Sequence, residues 1–511
     1  MRAKWLNDAV FYEIYPQSFR DTNADGIGDI NGIVEKLDYI RSLGCNALWI
    51  NPCFDSPFKD AGYDVRDYKK VAPRYGCNND LYRLFGEAHK RGMRVLLDLV
   101  PGHTSEEHPW FRQSQTDAEN PFADRYVWTD HWFRGFPGLP YIGGESQRSG
   151  CYILNFFKCQ PALNYGFLNP TLPWQQGIDD PGPLATRAAI KDVMRFWLDH
   201  GCDGFRVDMA GSLVKLDDAD KTGTCAVWRD ITAMLDAEYP EAAMVAEWSD
   251  PRLSLRCGYD ADFVLNHVGN GYSTLLRDYE SGADNSYFRR DGDGDINRFL
   301  SDYLPQYEDA KGRGYMSLIT CNHDTVRPRY NLGPEELKLA YAFLFTMPGA
   351  PFLYYGDEIG MRYLPLPTKE GGYFRTGSRT PMQWDGTANL GFSEGRADSL
   401  YLPVDPAPDA PTVAAQEADP DSLLNTVRAV LALRHREADL QADGAFEPVC
   451  TRKGEPFVYR RGALLLAVNP AGETRYADVD IGDREPIFTL GRMDAANGRL
   501  AMGAQSFAVL K

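Results

Sequence analysis

Apolar residues along this chain fall into two rhythms. Short apolar runs alternate with stretches in which apolar positions recur every three or four residues. The runs are Ala9–Tyr15, Ala47–Asn51, Arg94–Val100, Gly204–Met209, Met244–Trp248, Phe263–Asn266, Ser317–Cys321 and Phe352–Tyr355. Each reads as a short strand buried on both faces. Between them lie amphipathic helices. Leu81, Leu84, Phe85 and Ala88 form one stripe, stopped by Gly92; Ile190, Val193, Met194 and Trp197 form another, stopped by Gly201. Leu423, Val427, Val430 and Leu431 mark the last. The longest apolar stretch, Leu337–Tyr355, contains Lys338, Pro348, Gly349 and Pro351 and reads as helix, turn and strand, not as a membrane span. Eight strands separated by helices predict an α/β chain, a closed (β/α)8 TIM barrel. A doubly wound sheet would want a phosphate-binding glycine turn after its first strand, and none is present.

Two stretches break the rhythm. Residues 105–168 are too long for a loop and read as an inserted domain B after the third strand. Residues 360–420 form a second excursion, after the eighth. From 441 the pattern changes to short alternating strands such as Phe457–Arg461. The expected organisation is a barrel over 1–104 and 169–440, the insert at 105–168, and an all-β C-terminal sandwich at 441–511.

Composition adds little to this fold. The 511 residues are 43% hydrophobic and 25% charged, as in ordinary globular proteins. Net charge is −18, which argues against nucleic acid or an anionic membrane as partner. Aromatic content of 13% is generous and compatible with a carbohydrate-lined cleft. The ten cysteines are scattered, none at C-x-x-C spacing, and several lie in apolar runs. Buried free thiols in a reducing compartment are expected, with no signal peptide and a cytoplasmic location. The expected assembly is a monomer or small homo-oligomer.

In a barrel of this kind chemistry sits at the C-terminal ends of the strands. The third strand carries Asp98 there, with His103 just beyond. The fourth carries Arg206 and Asp208 on one face, the fifth Glu247, and the seventh His323 and Asp324; the loop after the second holds Asp60, Tyr63 and Asp64. Acids and histidines converging on one mouth suit glycoside hydrolysis with retention. That reaction needs a carboxylate nucleophile and a second carboxyl that first donates and then accepts a proton. Arg206 is expected to keep Asp208 ionised as nucleophile. Glu247, between Ala246 and Trp248, has the apolar setting of a general acid. Asp324, His103 and His323 suit sugar hydroxyls, and Tyr63 offers a stacking surface.

Four blocks carry a resemblance: Asp98–His103 (DLVPGH), Gly204–Asp208 (GFRVD), Glu247 in AEW, and Asn322–Asp324 (NHD). In this order they resemble the signature regions of the alpha-amylase family, over about residues 5–440. The resemblance implies Asp208 as nucleophile, Glu247 as acid/base and Asp324 as transition-state stabiliser. Gln160–Asn164 (QPALN) resembles a QPDLN block, and Arg379–Asp385 (RTPMQWD) is similar to a block of the oligo-1,6-glucosidase and α-glucosidase branch. That branch implies exo action on short α-linked oligosaccharides or disaccharides, with Asp60 and Arg379 pairing to grip the non-reducing end. Three positions depart from the pattern. Gly102 stands where many members have a calcium-ligating Asn, Ala162 replaces the Asp of QPDLN, and Met209 follows the nucleophile where relatives cutting α-1,6 links often carry Val.

Asp21–Asp29 reads D-T-N-A-D-G-I-G-D, with oxygen ligands at calcium-loop spacing: Asp21, Asn23, Asp25, the Ile27 carbonyl and Asp29. The closing Glu is missing, since Gly32 stands there. The same loop in the resembled branch is a metal site, so a structural Ca²⁺ (or Mg²⁺) is expected. Asp291, Asp293 and Asp295 lack the needed glycine and read as solvated loop. Competing activities are a transglycosidase or isomerase (trehalose synthase-like or isomaltulose synthase-like) and an endo-acting α-amylase, all with the same catalytic residues. A non-catalytic relative, such as an ancillary transporter subunit, is disfavoured by the three acids and the lack of a predicted span.

Overall fold

The computed structural model describes residues 2–265, 270–278, 284–371, 375–496 and 498–511. Eight parallel strands form one sheet: β1 (Phe11–Ile14), β2 (Ala47–Ile50), β3 (Arg94–Leu99), β4 (Gly204–Val207), β5 (Ala243–Ala246), β6 (Ala261–Phe263), β7 (Tyr315–Ser317) and β8 (Phe352–Tyr354). Their order is β7-β6-β5-β4-β3-β2-β1-β8. The sheet closes beyond β7, where Phe352 N–H donates to the Leu318 carbonyl (3.0 Å) and Thr320 N–H to the Phe352 carbonyl (2.9 Å). Every residue of β1, β2, β4 and β5 is buried, which is why the strands read as unbroken apolar runs. Eight strands are present as expected, but the sixth and seventh are displaced toward the N-terminus and share only Phe263 and Ser317 with their apolar runs; Asn266, the expected end of the sixth, lies outside the described residues.

The helices follow their stripes. Leu81, Leu84, Phe85 and Ala88 are the buried face of Asn78–Lys90, and Gly92 beyond it takes φ +68°. Leu337–Tyr355 is the end of helix Pro334–Thr346, a turn, and β8. Gly349 in that turn has φ +87°, and a Cβ there would lie 2.1 Å from the Met316 carbonyl oxygen, so only glycine fits. Among the described residues no helix is long and apolar enough to cross a membrane.

Residues between β3 and β4 include helix Pro109–Ser114 and the hairpin Tyr141–Gly143 with Cys151–Ile153. The bridge His103–Ala162 and the Leu163 N–H to Gly102 carbonyl hydrogen bond (3.1 Å) tie this segment back onto the end of β3. The segment after β8 is built of 3-10 turns and one short helix, Val413–Glu417. At the C-terminus five antiparallel strands (Phe446–Cys450, Phe457–Arg461, Leu464–Asn469, Pro486–Leu490 and Ser506–Leu510) form a second sheet. A three-stranded sheet covers it over Val458, Leu465, Leu500 and Met502.

The cysteines depart from expectation. Cys225 and Cys257 are joined as a disulfide, because helix Thr222–Glu238 and the turn after Pro251–Arg256 bring their Cα atoms to 4.4 Å. Of the free thiols Cys77 is exposed and Cys450 half-buried; the others are buried.

Candidate active site

The strand ends place Arg206 at the centre. It is the cross-strand neighbour of Asp98 and is wholly buried. Its guanidinium touches three carboxylates: Asp98 at 2.7 Å, Glu247 at 2.6 Å and Asp208 at 3.4 Å. The Glu247 contact is a close ion pair whose alignment falls short of a hydrogen bond. Glu247 also accepts from the Met209 N–H (3.0 Å), where the chain turns with φ +43°. Arg206 therefore gives its short contacts to Asp98 and Glu247 and only its longest to Asp208. Burial and the neighbouring Glu247 charge push the Asp208 carboxyl well up, against the opposing pull of Arg206. Arg206 favours the ionised form as expected, but one guanidinium is shared among three carboxylates and does not outweigh burial and the Glu247 charge. Burial likewise raises Asp98 to about 6, although Arg206, Trp49 Nε1 and the Tyr63 hydroxyl all bond to it.

Asp324, on the loop after β7, has two arginines: Arg379 Nη2 at 2.7 Å and Arg375 Nη1 at 3.0 Å. Burial opposes its ionisation, but nearby positive charge outweighs burial and holds the carboxyl below the usual range. The arginines carry that effect, because burial keeps His323 itself neutral. Asp60 pairs with Arg375 (2.8 Å) and Gln160 Nε2 (2.7 Å), not with Arg379. Arg379 instead sits behind the wall, 2% exposed, donating to the His323 carbonyl (2.9 Å) as well as to Asp324. Asp64 accepts from Ser56 and from the Lys59 and Asp60 N–H groups, so it shapes the turn that presents Asp60.

Both histidines are engaged by the protein. His103 Nε2 donates to the Tyr63 carbonyl (2.9 Å), and its Nδ1 accepts from Asn155 (3.0 Å). Burial lowers His103 to about 3, so it is neutral. His323 is fully buried, with Nδ1 2.8 Å from Glu13 and Nε2 2.7 Å from the Tyr63 hydroxyl. His103 reaches the cleft wall, whereas His323 stands behind Tyr63. The cleft encloses about 480 Å³ and is lined by Asp60, Tyr63, His103, Asp208, Glu247 and Asp324, with Arg375, Phe156 and Trp248.

The three departures have local explanations. Ala162 is fully buried in an apolar cluster with Val127, Ile153 and Phe167, which has no room for a charge. A Cβ at Gly102 would lie 2.6 Å from Asn155 Nδ2. Asn155 accepts from the buried Lys215 ammonium (2.8 Å), so the positive charge between barrel and insert is a lysine. Met209 lines the cleft with its sulfur 3.7 Å from Asn155 Nδ2.

The Asp21–Asp29 loop satisfies itself. Asp21 accepts from the Asn23, Ala24 and Gly26 N–H groups and from the Ser393 hydroxyl. Asp29 accepts from Thr22 and caps the helix beginning at Ile30 through Gly32 N–H. Asn23 and Asp25 accept from the Asp25 and Ile27 N–H groups. Among the described residues no three acids, histidines or cysteines converge as a metal-ligand set. Asp293 pairs with Lys453, and Asp295 caps helix Ile296–Ala310.

Sequence reasoning missed Arg375, Glu13, Asn155 and Lys215. Glu13 carries a signal in hindsight, a lone acid in the apolar run of β1. Arg375 lies one 3-10 turn before Arg379, on the same loop.

A closed (β/α)8 barrel with Asp208, Glu247 and Asp324 at one mouth defines a glycoside hydrolase. Residues 13–443 match the family described as "Alpha amylase, catalytic domain", and the chain belongs to the alpha-amylase family. It is 32% identical to an oligo-1,6-glucosidase of Heyndrickxia coagulans, over 92% of this chain and 93% of that protein. It is 33% identical to the trehalose synthase/amylase TreS of Mycolicibacterium smegmatis, over 87% of this chain and 78% of that one. A solved structure of an isomaltulose synthase mutant from Erwinia rhapontici NX5, in complex with its natural substrate sucrose, superposes with TM-score 0.83 at 26% identity. The match covers 100% of this chain and 99% of that one.

Proposed function

We propose that this glycosidase is a retaining, exo-acting α-glucosidase that cleaves short α-linked gluco-oligosaccharides or disaccharides from the non-reducing end. The observation that carries this reading is the pairing of Asp60 and Asp324 through Arg375, which places a charged hydrogen-bonding cluster at one side of the cleft. A terminal glucose ring has free hydroxyls to meet such a cluster; an internal unit has one fewer. Asp208 attacks the anomeric carbon as Glu247 protonates the departing oxygen, and a covalent glucosyl ester forms. Glu247 then takes a proton from water as the ester is cleaved. Asp208 must be bare for the attack, and the positive charge developing on the sugar adds to the pull of Arg206 toward that ionisation. Asp324, held ionised by Arg375 and Arg379, supports the same charge. The Asp21–Asp29 loop enters as a proposed structural Ca²⁺ site, supported by its oxygen-only donors; none of its residues lines the cleft.

The second reading is a transglycosidase that passes the glucosyl group to a sugar hydroxyl instead of water. The relatives named as trehalose and isomaltulose synthases favour it. Incubation with maltose, isomaltose and sucrose, followed by NMR, decides between them. Free α-glucose is expected first; β-glucose would rule out retention, and isomeric disaccharides in its place would establish transfer.

A further inference from the structure

The two sides of the cleft differ in charge. Asp60, Arg375 and Asp324 come from the loops after β2, β8 and β7. Across the barrel the loops after β4, β5 and β6 supply Gly211, Ser212, Lys221, Trp248 and Leu265. Asp208 and Glu247 lie between, so this second wall faces the leaving group. Glu247 apart, its one charged side chain among the described residues is Lys221. Lys221 is half-buried, lines the cleft, and its ammonium makes no ion pair or hydrogen bond among the described residues. Asp218, which feels its charge, is turned to the Thr222 N–H and hydroxyl (2.8 Å each). Asp217 is turned to the Gly223 and Thr224 N–H groups. The backbone at Lys221 has φ +54°, a costly conformation for a lysine, and such strain is kept where it aims a functional group. Among the described residues the rest of this wall is uncharged: Ser212 donates its hydroxyl to the Met209 carbonyl (2.9 Å), and Gly211 packs so closely on Trp248 that a Cβ there would lie 2.7 Å from the indole.

A neutral sugar is gripped by groups that both donate and accept, as on the Asp60 side. A wall whose one hydroxyl is turned to the backbone and whose one ammonium is unpaired among the described residues suits a different ligand. We propose that the leaving-group subsite takes an aglycone bearing an anionic group, a carboxylate or a phosphate, which Lys221 recognises. This inference rests on the α-glucosidase reading and specifies its substrate class.

The test compares kcat/KM at low ionic strength for 4-carboxyphenyl, 4-phosphonophenyl and neutral 4-carbamoylphenyl α-D-glucosides. Dividing the anion/neutral ratio of the native protein by that of Lys221→Gln cancels leaving-group reactivity. The expected quotient is roughly tenfold or more, as for a charge-assisted hydrogen bond, and it collapses with added salt. Lys221→Arg should restore the preference and Lys221→Glu invert it. Gain with one anion alone identifies carboxylate or phosphate as the source. A quotient near one for both anions, with all three glucosides cleaved, overturns the inference and leaves the glucosidase reading standing. No cleavage of any of the three overturns both.

Discussion

At the residue scale, one buried guanidinium organises the chemistry. Asp208→Asn removes the nucleophile and should cut turnover by at least ~10³, measured on maltose or an aryl glucoside. Full activity in that variant would remove Asp208 from the role. The raised Asp208 carboxyl has a pH consequence. The nucleophile works ionised, so the acid limb of kcat/KM should lie above the ordinary aspartate value of about 3.9. Burial stays in every variant, but the Glu247 charge can be taken away. With an activated aryl glucoside that needs no acid, Glu247→Gln should move that limb to lower pH; a limb that stays put would show that Glu247 does not raise Asp208. Arg375 and Arg379 separate in their effects. Arg375 lines the cleft, so Arg375→Ala should lower kcat/KM on disaccharides roughly tenfold to a hundredfold, the worth of a charged hydrogen bond of about 1.5–3 kcal/mol. Arg379 is buried against Asp324 and the His323 carbonyl, so Arg379→Ala should also lower the melting temperature. Equal melting temperatures for the two variants would contradict this division.

At the scale of elements, the strand ends deliver the acids and the loops aim them. The loop after β1 is the clearest case where motif and geometry diverge. Its spacing is that of a calcium loop, yet its carboxylates close the turn on their own backbone. Elemental analysis and melting curves decide its role. One Ca²⁺ per chain and a lower melting temperature in EDTA would support the site; no metal and an unchanged curve would remove it. The helix beginning at Thr222 is tied by Cys225 to Cys257. Alkylation of the unfolded, unreduced protein should therefore label eight cysteines, and ten after reduction. Ten without reduction would show that the bridge is not formed.

At the scale of the whole molecule, the barrel is a platform and the two excursions build its walls. The insert supplies Phe156 and Gln160 to the cleft, and the segment after β8 supplies Arg375. Residues from both excursions line one side of the cleft, and the proposed exo action rests on that. Soluble starch should lose viscosity slowly while short α-glucosides release glucose; rapid thinning with little free glucose would identify an endo-amylase. The net charge of −18 sets only the background, since the anionic leaving group proposed above needs the local field of Lys221.

The sequence alone determined the barrel, because strands buried on both faces must be apolar throughout and helices with one buried face must keep a stripe. It also singled out Asp208, Glu247 and Asp324, because charged residues at the ends of apolar runs have few structural reasons to exist. It could not say which charge meets which. Asp60 and its arginine are 315 residues apart, and Arg375 and Arg379 are equal candidates until the loop is folded. Nor could it show Arg206 leaning toward Glu247, or both histidines bound within the protein. Periodicity is local and survives in one dimension. Pairing among buried charges is settled by tenths of an ångström in three, and only the tertiary structure decided it.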